Sequence, residues 1–85
     1  MAPLTVSIKS MKFNPASLAV KAGDSVVWKD EDRMTHTATA DDGPVPDTGE
    51  IPSGKTSSPQ VFAAAGKYKY HCEIHPGMTG EVVVS

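Results

Sequence analysis

Apolar and polar residues alternate along this chain in short runs, and turn-forming residues interrupt them about every ten positions. A period of two puts successive side chains on opposite faces of an extended strand. Short runs of this kind, separated by turns, specify a β-sandwich or barrel. In LTVSI, Leu4, Val6 and Ile8 share one face and Thr5 and Ser7 the other. Asn14-Pro15 breaks the pattern, and SLAVKA resumes it with Leu18 and Val20 in phase. Gly23-Asp24 supplies a turn before SVVWK, which is β-branched and aromatic as strands prefer. HTATA alternates again, starting at His36, and PQVF reads as a short strand with Pro59 at its start or on a sheet edge. KYKYHC and GEVVVS complete the set. Residues 41–55 hold three Gly and three Pro and read as a long irregular excursion. The expectation is an all-β Greek-key sandwich or barrel of about seven to eight strands, built as one domain over residues 1–85.

Charge and composition exclude several classes of function. The net charge is −2, with 8 basic and 10 acidic residues, and no run of Lys or Arg forms a nucleic-acid footprint. No apolar stretch approaches the ~20 residues of a membrane span. A single cysteine, Cys72, rules out an intramolecular disulfide. The opening MAPLTV enters a strand pattern at once with no signal peptide visible, which is compatible with a cytoplasmic protein and equally with a mature exported domain behind a start Met.

The chemistry gathers in YHCEIHPGM, residues 70–78. Cys72, His75 and Met78 offer a thiolate, an imidazole and a thioether within seven residues, and Pro76-Gly77 can turn them toward one point. A fourth group must come from His36 or His71, the remaining histidines. Alternation in KYKYHC sends Tyr68, Tyr70 and Cys72 inward and Lys67, Lys69 and His71 outward, which disfavours His71. His36 serves if its strand neighbours that of Cys72. Zinc does not ordinarily take Met, calcium and magnesium need clustered oxygens, and iron–sulfur clusters need more cysteines. Soft sulfur donors with two imidazoles suit copper. Taken singly, Cys72 reads as a buried thiol and Met78 as core packing. A cysteine enzyme needs an oriented base beside a substrate cleft, and a chain this small has little room for one, so no enzyme is expected.

The Cys-x2-His-x2-Met spacing after an aromatic strand, with a single His 36 residues before the Cys, resembles the cupredoxins, specifically their small plastocyanin/amicyanin-like branch. FNPASLAVKAGDSVVWKDEDRMTHT is similar to the family's upstream segment, and the likeness covers residues 6 to 84. The resemblance implies a mononuclear type 1 copper site with ligands His36, Cys72, His75 and axial Met78. It implies a monomeric electron carrier, periplasmic or otherwise extracytoplasmic, that docks transiently near His75 with a redox protein such as a c-type cytochrome or an oxidoreductase. The alternative is a copper carrier or buffer using the same four ligands. Met34, Pro76 and Pro44 or Pro46 are candidates for an apolar docking rim. Asp30, Glu31, Asp32, Asp41 and Asp42 are candidates for steering a basic partner. Met11 and Met34 read as packing residues rather than ligands. Two positions depart from the family pattern. Asp30 stands where Asn usually braces the ligand loops, and a carboxylate accepts hydrogen bonds but cannot donate them. His71 stands where Tyr or Phe is common.

Overall fold

The computed structural model describes residues 3–85. Met1 and Ala2, the first positions of the expected 1–85 domain, lie outside the described residues. Strand β1, Leu4–Lys9, buries Val6 and Ile8 and turns Lys9 to water, as its alternation requires. Strands β2 (Lys12–Asn14), β3 (Ser17–Val20), β4 (Ser25–Asp30), β5 (Thr39–Ala40) and β6 (Gln60–Val61) follow, then β7 (Gly66–His71) and β8 (Thr79–Val84). They form two four-stranded sheets, ordered β2-β1-β4-β6 and β3-β8-β7-β5. Strand β1 runs parallel to β4, with Val6 opposite Trp28 and Ile8 opposite Asp30. Strand β8 lies between β3, parallel to it, and β7, antiparallel.

The inner faces of the two sheets make the core. Val6, Ile8, Val26 and Trp28 come from the first sheet, and Val20, Tyr70, Val82 and Val84 from the second. Each such side chain removed from water is worth about 1.5–3 kcal/mol. Tyr70 is wedged edge-on between Phe13 and Trp28, at ring-centroid distances of 4.7 and 5.2 Å. The chain therefore folds as the all-β sandwich its alternation specifies, with eight strands among the described residues.

Three details differ from the sequence reading. Leu4 lies in phase with Val6 and Ile8 but at the open end of the sheet, where it is 38% exposed. Strand β2 emerges from KFN, too short to show a period, because it pairs with β1 through Phe13 and Ile8. HTATA is a strand only at Thr39–Ala40. Its earlier amides leave the ladder: the Thr37 N–H donates to Cys72 Sγ, and the Ala38 N–H donates to Thr48 Oγ1.

Candidate metal centre

Strand β7 delivers Cys72 to the end of the sandwich, and the link to β8 carries the remaining donors. His71 pairs with Thr79 across the β7–β8 ladder, so the intervening residues form a closed loop on a fixed base. The Cys72 N–H donates to the Met78 carbonyl at 3.1 Å, and the Met78 N–H donates to the His75 carbonyl at 3.3 Å. His75-Pro76-Gly77-Met78 is thus a tight turn. Pro at its second position and Gly77 at φ 93° at its third are the requirements of type II. The turn leaves Met78 buried and His75 half-buried.

His36 reaches the same place from the other side. Its backbone is pinned to Ile51 by two hydrogen bonds, at 3.1 and 2.7 Å, in an isolated antiparallel bridge. Thr37 staples this segment to the Cys72 loop, because its N–H donates to Cys72 Sγ at 3.4 Å and its Oγ1 accepts from the Glu73 N–H at 2.9 Å. Cys72 Sγ lies 3.7 Å from Nδ1 of His36 and 3.7 Å from Nδ1 of His75. The donor atoms of these three residues all lie within 4.8 Å of one another. The imidazole rings of His36 and His75 stand 4.6 Å apart, centroid to centroid. Cys72 and His36 are buried, and His75 is the member of the trio that reaches water.

The electrostatics favour a metal-ready thiol. Burial alone would raise the Cys72 pKa. The Thr37 N–H and the two imidazoles outweigh it and bring the thiol down to about 6. Burial acts against a charged His36, but its contacts with Cys72 and Asp32 and the nearby Asp30 lift its pKa above the usual value. Burial pushes the Asp30 carboxyl up, against the pull of the Asp32 N–H on its Oδ1. Asp32 goes the other way: despite its desolvation, the N–H groups of Met11 and Ser10 and the His36 ring hold it below the carboxylate norm.

His36, Cys72 and His75 are brought together, and Met78 is buried at the loop's end with its backbone closing the loop. His71 points outward and places Nδ1 2.6 Å from Asp41 Oδ1, away from the trio. Several surface assignments need correction. Asp30 is fully buried and cannot steer a partner, since β4 carries it inward in phase with Val26 and Trp28. Asp32 is committed to His36 and to two backbone amides. Pro46 is fully buried and cannot form a rim, while Pro44 and Pro76 are exposed. Met11 and Met34, read as packing residues, are 38% and 51% exposed. The sequence reading missed Thr37 and the inward role of Asp32. The hydroxyl at position 37, next to a candidate ligand, was the only local signal for the first.

A family profile described as copper binding proteins, plastocyanin/azurin family, matches residues 2–85. Amicyanin from Paracoccus denitrificans is 34% identical over 84 residues, covering 95% of this chain and 64% of that protein. The chain therefore spans a little under two thirds of that relative's length. A reduced amicyanin mutant superposes with a TM-score of 0.87 at 32% identity, covering 98% of this chain and 82% of that one. An oxidised amicyanin mutant superposes at 0.85, with the same identity and coverage.

Proposed function

This chain belongs to the plastocyanin/azurin family of copper-binding proteins, and from that premise we propose that it is a one-electron carrier holding a single copper ion. The observation that carries the proposal is the low-pKa Cys72 thiol flanked at equal distance by two imidazole Nδ1 atoms. The residues fit copper: a thiolate and two imidazoles converge, and Met78, a thioether, is buried at the end of the same loop, which its backbone closes. His36, Cys72 and His75 would hold the ion, with Met78 as the weak fourth donor. When bound, copper supplies a Cu(II)/Cu(I) couple that takes and releases one electron. Solved amicyanins are known in both reduced and oxidised states, which supports the same use here.

The protein's own part is to keep the donors fixed. The Ile51 bridge holds the His36 backbone, Thr37 ties it to the Cys72 segment, and the type II turn holds His75 against Met78. A site that changes little between oxidation states loses little energy in rearrangement when the electron moves. His75 is the half-exposed ligand and serves as the electron port, with Ile74 and Pro76 exposed on either side of it as an apolar docking rim. The partner is a redox protein, such as a c-type cytochrome or an oxidoreductase, and the chain itself performs no catalysis. The whole chain acts as one domain, in an extracytoplasmic compartment as the family resemblance implies. Recovery of the full-length gene product in the cytoplasmic fraction of its source cells would overturn that location. The burial of His36 and Cys72 favours a retained ion over a carrier that hands copper on.

Adding Cu(II) to the metal-free protein tests the reading. An intense visible thiolate-to-copper band is expected, absent in Cys72→Ser and nearly intact in His71→Ala. A colourless complex overturns the type 1 assignment. Rapid loss of copper to a Cu(I) chelator, without a reversible one-electron couple, would favour the carrier instead.

A further inference from the structure

The residue that faces the outer nitrogen of His36 is Asp32, four positions earlier on the turn after β4. His36 Nε2 lies 2.9 Å from Asp32 Oδ2, while Nδ1 of the same ring faces Cys72 Sγ. A carboxylate can only accept, so the shared proton belongs on Nε2, which leaves Nδ1, the nitrogen facing Cys72 Sγ, as the one that would donate to a metal. Asp32 in turn is held from the neighbouring strand, where β1 turns into β2. Its Oδ1 accepts from the Ser10 N–H at 2.7 Å and its Oδ2 from the Met11 N–H at 3.0 Å. Ser10 and Met11 form the two-residue link between β1 and β2 and have φ of 56° and 59°. Positive φ at both central residues is the hairpin geometry that matches strand twist, and it aims successive N–H groups at one anion. The usual residues for such a link are Asn and Gly. Here Ser and Met adopt it, with the carboxylate of Asp32 filling the cradle.

We propose that the β1–β2 turn and Asp32 together form an outer brace of the metal centre. The turn fixes the carboxylate, the carboxylate fixes the tautomer and angle of His36, and an anion bonded to the far side of the ring makes Nδ1 a stronger donor. Asp32 is a positioning residue, acting through His36 alone. Outer partners of this kind are worth about 10–100-fold in metal affinity. A stronger imidazole donor favours Cu(II) over Cu(I), so loss of the brace should weaken the oxidised form more. The inference rests on the copper reading above for its redox consequence, and on contacts within the chain for the brace itself.

The test compares four proteins with folding checked by near-ultraviolet circular dichroism: wild type, Asp32→Asn, Glu31→Gln and the double substitution Ser10→Asn with Met11→Gly. In the metal-free state, the Ser10 and Met11 amides should exchange slowly in wild type and lose protection in Asp32→Asn. In the Cu(I) state, nitrogen chemical shifts should show His36 protonated at Nε2. In Asp32→Asn, Cu(II) affinity should fall about tenfold more than Cu(I) affinity, which raises a one-electron potential by about 59 mV. Glu31 is an exposed carboxylate next in sequence, bonded to Ser7, and its loss should leave the potential in place. The double turn variant keeps both N–H donors and the positive φ and should retain the wild-type potential. Unchanged amide protection in Asp32→Asn overturns the brace, as does an unchanged potential. An equal shift in Glu31→Gln overturns it in favour of net charge, and an equal shift in the turn variant overturns the assignment to backbone amides. Should wild type give no visible band with Cu(II), the copper reading fails separately, and amide exchange of the metal-free protein still decides the brace.

Discussion

Gly80 lacks a Cβ where one has no room. A methyl group there would sit 2.5 Å from Cζ and the hydroxyl oxygen of Tyr70, and that ring is held by Phe13 and Trp28. Gly80→Ala is expected to cost about 1–3 kcal/mol, read from denaturant unfolding. The Tyr70 hydroxyl is buried with no hydrogen-bond partner among the described residues, so Tyr70→Phe should be neutral or stabilising by about 1 kcal/mol. Burial pushes the Tyr70 phenol from 10 up to about 12. The folded state therefore holds the neutral phenol, and this stability is complete below about pH 10 and lost as pH rises toward about 12. The shift of about two units corresponds to about 3 kcal/mol, and Tyr70→Phe should flatten the loss across that window. Thr37→Val should cost about 1–2 kcal/mol, because it leaves the Glu73 N–H without its acceptor. The inward and outward faces of residues 67–72 were legible from alternation alone, including the outward turn of His71. Asp32 was not. In DEDRM it reads as one acid among several, and its direction is set by amides more than twenty positions away.

The Cys72–Met78 loop is an element in its own right, closed at its base by the Cys72–Met78 bond and tightened by its inner turn. Its type II geometry depends on Gly77, since a left-handed backbone costs an L-residue about 1–2 kcal/mol. Gly77→Ala should lower the melting temperature by that amount of stability and broaden the visible band of the copper-loaded protein, as His75 loses its fixed angle. This loop was legible because all its chemistry is local: donor spacing, Pro and Gly stand in one stretch of sequence. The His36 segment was legible in identity and not in form. HTATA alternates like a strand, yet its amides are drawn off by Cys72 Sγ and Thr48 Oγ1. Such partners come from distant sequence, and periodicity carries no trace of them. Strand β2 is the converse case, a three-residue strand that exists only because β1 offers it a ladder.

At the scale of the molecule, the site is set into one end of the core, because Cys72 and Met78 belong to the same buried cluster as the large side chains. Trp28, Tyr70, Phe62 and the inward-facing Val6, Val20, Val26, Val82 and Val84 are buried by the packing of strand against strand. The metal-free protein should therefore melt cooperatively, and copper at about 1,000 times its dissociation constant should add about 4 kcal/mol. Calorimetry of the two forms checks both statements. The β7–β8 ladder adds one more consequence. It runs from Gly66 opposite Val84 to His71 opposite Thr79, a length of about 17 Å at the usual rise per residue. Leu4 lines the same surface groove as Val20 and Ser85. Both described ends of the chain thus leave the sandwich at the pole away from His75. A tether attached at either end, whether to an electrode, a bead or a fused protein, would hold the molecule by its foot and leave the His75 face turned outward.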